Sequence, residues 1–276
     1  MRLLRFRSAA ALEAAAGSWL AADDRTNNLI LSRLSAARFS DEIQSWLALD
    51  GDAQQLALLE APHQLVLSGG STQGAEYLAA NLDVQVRQFV GPTAVADAFA
   101  AHLGRKSGSG GNVSMEMTFY TLDRVEPFWC PAGSMRAATR AELDELAPLA
   151  MAAEWEMHGD EQQPDPATIE DTLRQAIDDG QQFVWAEGSS IRAIASYVRP
   201  FKHAGARIRG VYTLPEFRGS GYGTAITGAL AVRLLKGGQR WVALFADNAN
   251  PISTGIYRRM GFQPHSIFRT WRFALQ

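Results

Sequence analysis

The chain has 276 residues, 47% of them hydrophobic, enough for one large domain or two ordinary ones with real cores. Its formal net charge of -3, without any Lys/Arg-rich block, argues against a nucleic-acid partner, and the lack of an apolar window of about 20 residues argues against a membrane span. The single Cys130 permits no internal disulfide, suits a reducing compartment such as the cytoplasm, and reads as a small buried hydrophobe.

Arg2, Arg5 and Arg7 ahead of SAAALEAAAGSWLAA imitate a secretory signal. Glu13 interrupts the apolar run, however, and Ser8 is placed to cap an alanine-rich helix whose Leu12, Ala16 and Trp19 share a face. Helical patterns then cover roughly residues 8–22 and 25–38. IQSWLALD, QQLALLEA and HQLVLSGG read as three strands parted by Gly51-Asp52 and Ala61-Pro62. A helix at roughly 72–81, the strand VQVRQFV, a helix at roughly 93–104 and the strand NVSMEMTFYTL complete this half, in the order ααβββαβαβ.

The second half repeats the pattern. After Pro131-Ala132-Gly133, MRAAT reads as a strand, and Thr139-x-x-Glu142 as a capping box opening a helix that runs to about Trp155. Pro164 and Pro166 frame a linker and start a helix ending near Gly180, and QQFVWAE with IRAIASYVRP form a hairpin around Gly188-Ser189. ARIRGVYT is a strand stopped by Leu214 and Pro215, a glycine-rich turn follows, and AITGALAVRLL carries helical spacing at Ile226, Leu230 and Leu234. RWVALFAD reads as a strand buried on both faces, Asn250-Pro251 opens a helix, and FRTWRFAL closes the chain as a strand. The fold class expected is α/β, a mixed sheet with flanking helices arranged as two similar units, 1–130 and 134–276. The halves differ little in charge, with 10 basic against 14 acidic residues and 16 against 15, so charge assigns neither a partner of its own.

The turn from Arg218 through Gly219, Ser220, Gly221, Tyr222 and Gly223 to Thr224 is where chemistry concentrates. Alternate glycines clear Cβ atoms from its concave side, letting backbone N–H groups converge on a phosphate at the helix N-terminus. A Walker loop is excluded because no Lys follows the last glycine, and a dinucleotide fingerprint fits poorly because the spacing is G-x-G-x-G. Arg218-x-x-Gly221-x-Gly223 resembles the acyl-coenzyme A signature Q/R-x-x-G-x-G/A of the GNAT superfamily of N-acetyltransferases. Downstream, Asn250, Ser253, Tyr257 and Gly261-Phe262 fall at that family's N-x-x-[AS]-x-x-x-Y-x-x-x-G-F spacing.

The resemblance covers the C-terminal unit, the complete GNAT-like one, and implies acetyl-CoA as co-substrate; no histidine cluster or Cys/His spacing suggests a metal. It implies that the strand edge at Val211, Tyr212 and Thr213 pairs with the pantetheine arm, that residues 218–224 cradle the pyrophosphate, and that Asn250 touches the cofactor. Ser253, Tyr257 and Gly261 share a helix face, and the resemblance makes the Tyr257 phenol the proton donor to the leaving thiolate. Many relatives carry a carboxylate base on the strand before the turn, and ARIRGVYT offers none; Glu154, Glu156, His158, His203 and Glu216 are the open candidates. The N-terminal counterpart of the turn, LVLSGGSTQGAEYL, keeps Gly69 and Gly70 without the Arg or the alternating glycines, and reads as a plain strand-to-helix turn in a degenerate GNAT-like repeat.

The activity implied is transfer of an acetyl group to a primary amine of a small molecule or amino acid by direct attack, in a monomer or homodimer. The VYT-x-P-E-x-R-G-x-G-Y run, shared with some glycine-type N-acyltransferases, favours an amino acid. An enzyme acting on protein N-termini or lysines, and a non-catalytic coenzyme A-binding regulatory module, are the alternatives.

Overall fold

The computed structural model describes residues 1–37, 43–50, 53–60, 64–108, 110–158, 165–200 and 205–273. The first half runs β1 (Arg2–Phe6), α1 (Ala9–Ala22), α2 (Asn28–Ala37), β2 (Gln44–Asp50), β3 (Ala53–Glu60), β4 (Gln64–Leu67), α3 (Thr72–Asn81), β5 (Gln88–Pro92), α4 (Thr93–Ser107) and β6 (Asn112–Leu122). The second runs β7 (Ser134–Ala137), α5 (Leu143–His158), α6 (Pro166–Asp178), β8 (Gln182–Glu187), β9 (Ser190–Val198), β10 (Gly205–Thr213), α7 (Tyr222–Lys236), β11 (Trp241–Asp247), α8 (Pro251–Arg259) and β12 (Gln263–Arg272). Both halves therefore share the element order βααβββαβαβ.

The local patterns explain most of these elements. Leu12, Ala16 and Leu20 bury one stripe of α1, and the Ser8 hydroxyl caps it by accepting from the Ala11 N–H at 3.5 Å. Ile226, Leu230 and Leu234 are buried on α7 as their spacing predicts. β11 is covered on both faces: Val242 and Leu244 belong to the cluster with α7, Trp241 and Ala243 to the cluster with α1 and α2.

Several expectations are corrected. β1 precedes the first helix, where the arginines imitate a leader; it pairs antiparallel with β2 at the sheet edge, where exposed Arg2 and Arg5 suit an edge strand. β5 begins only at Gln88, because Val84 and Val86 pack against the α3–α4 cluster from a loop instead of joining the sheet. The last strand starts at Gln263, earlier than its apolar pattern, because it is paired on both sides. Cys130 is exposed: in the segment 123–133 that joins the halves, Val125 and Phe128 turn toward the α7 cluster and Cys130 does not.

All twelve strands form one sheet in the order β1-β2-β3-β4-β5-β12-β6-β11-β10-β9-β8-β7. β12 is antiparallel to both β5 and β6, and β6 is antiparallel to β11. It follows that β6 lies parallel to β5 with one strand between them, and β12 parallel to β11 with one strand between them. Each half thus ends in a βαβ crossover with an open slot, and the last strand of the other half fills it.

The capping box is present. Glu142 accepts from the Thr139 N–H at 2.8 Å and from Arg136 at 2.9 Å, and it leads through a short 3-10 turn into α5. The Arg136 guanidinium, helped by the Thr139 donors, pulls the Glu142 carboxyl from its ordinary 4.5 down to about 2. A carboxyl lowered in the folded state stabilises fully above its unfolded value and loses that contribution as pH falls through the folded one. Glu142→Gln is therefore expected to cost on the order of 1–2 kcal/mol at pH 7, allowing for solvent screening. Denaturant titrations should show the gap to wild type closing between pH 4.5 and about 2.

Candidate functional site

The site grows from a divergence between two strands. β10 and β11 run parallel and pair only from Gly205↔Trp241 to Arg207↔Ala243, although β10 continues to Thr213 and β11 to Asp247. On its other side β10 stays paired with β9, with a register shift between Arg209 and Tyr212. Gly210 sits in that bulge with φ of +58°, a conformation natural to glycine. The edge of β10 beyond Arg207 therefore faces a gap directly ahead of the glycine turn.

Leu214 breaks the strand, Pro215–Phe217 form a 3-10 turn, and the chain reverses through Gly219 and Gly221, at φ +78° and +82°. Gly221 is the N-cap of α7, so the first-turn amides of α7 are free of a side-chain cap. A Cβ on Gly221 would lie 2.7 Å from the Trp129 ring, because the segment joining the halves lays that indole against the turn. Phe128 packs just as closely over Gly228 on α7, and the Glu126 N–H donates to the Met260 carbonyl at 3.0 Å.

The predicted residues are brought together in part. Val211 and Tyr257 pack against one cluster that includes Ile208, Ile226, Leu244, Ala246 and Phe262. Thr213 lies beside Gly223, whose added Cβ would sit 3.2 Å from the Thr213 hydroxyl. Tyr212 is buried on the opposite face, beneath α5 and α6. Tyr222 is buried with its hydroxyl 3.3 Å from Glu187, so only its main chain belongs to the turn. Ser220 is exposed, and Thr224 lies half-buried in the first turn of α7. Asn250 caps α8, its side-chain oxygen accepting from the Ser253 N–H at 3.2 Å. Burial pushes the Tyr257 phenol up to about 12, so it holds its proton throughout the neutral range.

Arg218 is held in place: Nε donates to the Thr213 carbonyl at 3.1 Å, Nη2 to Glu156 at 2.6 Å, and the guanidinium stands 5.4 Å from the Tyr212 ring centroid. Glu156 is thereby tied to the turn. The N-terminal counterpart of the turn is closed by its own side chains. The Gly69 N–H donates to Asn27 at 2.8 Å, Ser71 takes the Gly74 N–H at 2.9 Å, and fully buried Gln55 fills the space where a Gly70 Cβ would stand.

Residues 145–262 match the model of the Acetyltransferase (GNAT) family. That segment contains the diverging strands, the glycine turn and α8. The matched segment is similar to a GNAT domain.

The solved structures agree at the level of the fold. An acetyltransferase of the GNAT family from Colwellia psychrerythraea superposes with a TM-score of 0.65 at 10% identity, covering 99% of this chain and 100% of that one. A GCN5-related N-acetyltransferase from Sphaerobacter thermophilus gives 0.63 at 17% identity, covering 99% and 95%. A tandem GNAT protein from the clavulanic acid biosynthesis pathway gives 0.58 at 15% identity, covering 98% of each chain. No curated protein matches the sequence.

Within the matched segment and its surroundings the base candidates separate. Glu156 is paired with Arg218, Glu216 is exposed on the 3-10 turn, and His203 and the side chain of His158 lie outside the described residues. Glu154 on α5 is close enough to β10 for its charge to act on Arg209. Among the described residues no group of His, Cys, Asp and Glu is arranged to hold a metal, and no helix is long and apolar enough to cross a membrane. Sequence reasoning did not single out Arg209, Trp129, or Asn28 and Arg33 on α2. The two arginines of ARIRGVYT, two residues apart on one face of a strand, were the available signal for the first.

Proposed function

We propose that the protein transfers an acetyl group from acetyl-CoA to the primary amine of a small molecule by direct attack, within a cytoplasmic setting. The observation that carries this is the gap between β10 and β11, opening immediately ahead of a glycine turn that caps α7. The groups present fit acetyl-CoA: the free edge of β10 suits the amides of a pantetheine arm, and the first-turn amides of α7 at residues 222–224, without a side-chain cap, lie at a helix N-terminus that favours a pyrophosphate. Acetyl-CoA supplies the activated acyl group. Main-chain N–H groups at the Gly210 bulge are placed to stabilise the charge that develops on the thioester oxygen. Glu154 takes the proton of the attacking amine, directly or through water, and Tyr257 returns one to the departing sulfur.

The test is Tyr257→Phe, which keeps the ring that packs edge-on to Phe262 at 5.9 Å and removes only the hydroxyl that donates the proton. Thiol release from acetyl-CoA should fall by about 100-fold or more, the range of a lost general acid, with acetyl-CoA affinity nearly unchanged. A variant that turns over at the wild-type rate would return Tyr257 to a packing role and favour a coenzyme A-binding module whose job is not acetyl transfer.

A further inference from the structure

The face of β10 that looks away from α7 carries charge. Ala206 and Ile208 enter the cluster under α7, so Arg207 and Arg209 project to the other face, where α5 of this half and α2 of the N-terminal half lie. The Arg207 Nε donates to Asn28 on α2 at 3.1 Å, and its guanidinium stands 5.5 Å from the Phe245 ring centroid. Arg209 is pressed by burial first and then by the charge of Arg33 on α2, with Glu154 on α5 acting the other way.

These contacts orient α2. From Asn28 to Arg33 a helix advances about 7.5 Å, and from Arg207 to Arg209 a strand advances about 6.6 Å. α2 is therefore tied to β10 at Arg207, with the charge of Arg33 reaching Arg209, and the N-terminal half borders the cleft that opens where the β10–β11 ladder ends at Arg207. Arg209 stands at that opening, one residue before the Gly210 bulge. Its Nε is buried and has no hydrogen-bond partner among the described residues. Buried donors are rarely left so, and one beside the reacting position calls for a ligand.

We infer that Arg209, with Arg33 and Arg207 beside it, binds a carboxylate of the acceptor, so that the substrate class is amino acids and related amino-carboxylates. The inference rests on the acetyl-transfer reading. A carboxylate fits better than a bare charge because a guanidinium offers Nε and one Nη as a planar fork. Glu154 on the opposite wall then faces the amino end, and the zwitterion lies with its amine toward the thioester. The N-terminal half thereby has a part in the site: α2 supplies Arg33 and the Asn28 anchor of Arg207.

The experiment follows thiol release from acetyl-CoA with the twenty amino acids, their amides, the matching decarboxylated amines, and aminoethyl phosphate beside ethanolamine. Acetyl-CoA binding is measured separately by titration calorimetry. The carboxylate member of at least one pair should be preferred by about 10- to 100-fold in kcat/KM, the span of a charge-assisted hydrogen bond, with the loss mainly in KM. Arg209→Gln should shrink that ratio to within about threefold while acetyl-CoA binds as before, and Arg209→Lys should restore it only in part. Arg33→Gln, an exposed substitution on α2 that leaves the sheet untouched, should weaken the preference several-fold even if Arg209→Gln fails to fold. Equal use of amides or decarboxylated amines, a preference that survives both variants, preference for the phosphate alone, or a panel left untouched by protein that binds acetyl-CoA would each overturn the inference. Loss of acetyl-CoA binding in the wild type takes the acetyl-transfer reading down first, and the inference with it.

Discussion

Gly221→Asp is expected to lower acetyl-CoA affinity by at least about 100-fold while the protein stays folded. Gly221 has φ of +82° and caps α7. Asp tolerates this left-handed region better than most residues, which pay about 1–2 kcal/mol there. Its Cβ would meet the Trp129 ring at 2.7 Å, but that indole is 68% exposed and belongs to a connecting segment, so it can move aside. The carboxylate is the larger effect. It would stand where the amides and the α7 dipole draw an anion, and a like charge at about 4 Å near a protein surface opposes binding by roughly 4 kcal/mol. Gly219 is the internal control, with φ of +78° and nothing within 4 Å of an added Cβ. Gly219→Asn adds no charge in a conformation Asn accepts, and should change affinity by less than about tenfold. Titration calorimetry with acetyl-CoA, beside melting curves for both variants, decides the matter. Gly221→Asp binding as tightly as wild type would separate this turn from the cofactor.

What could be read from the sequence divides along the range of the interaction. The turn at residues 218–224, the Asn250 cap and the Thr139–Glu142 box are all closed by contacts within a few residues, and all were legible. The Arg207–Asn28 bond spans 179 positions and leaves no periodic trace in either segment. The packing of Trp129 on Gly221 is equally silent, because an exposed indole in an irregular stretch has no pattern to break. β1 was missed for a different reason: two of its five residues are arginines, and an edge strand needs only a weak apolar alternation. Glu156 illustrates the limit for chemistry. Its position near the C-terminal end of α5 made it one candidate for a base, but its ion pair with Arg218 appears only once the chain is folded. The recurring element order could be read from the sequence, whereas the exchange of last strands could not. Either strand would satisfy the same period-two pattern in its own half.

That exchange sets the second expectation. Residues 134–276 produced alone should fail to fold cooperatively, even though they contain the whole family match. Without β6 the slot between β11 and β12 is empty, and β11 loses its pairing from Val242 to Asp247 while β12 loses both neighbours. Tyr120 and Leu122 of β6 are 1% and 2% exposed within the core beneath α7, and Phe119, fully buried, packs edge-on to Trp241 at 6.5 Å. Removing large buried side chains costs about 2–5 kcal/mol each, and three such losses rival the 5–15 kcal/mol that holds a typical domain together. The exposed strand edges add a route to aggregation. Co-expression with residues 1–130 should rescue a soluble complex, because β6 returns to β11 and β12 to β5. A monomeric 134–276 fragment with a single sharp melt close to that of the full chain would show that β12 can close the slot by itself. The tandem arrangement would then be needed only for the α2 wall of the acceptor cleft.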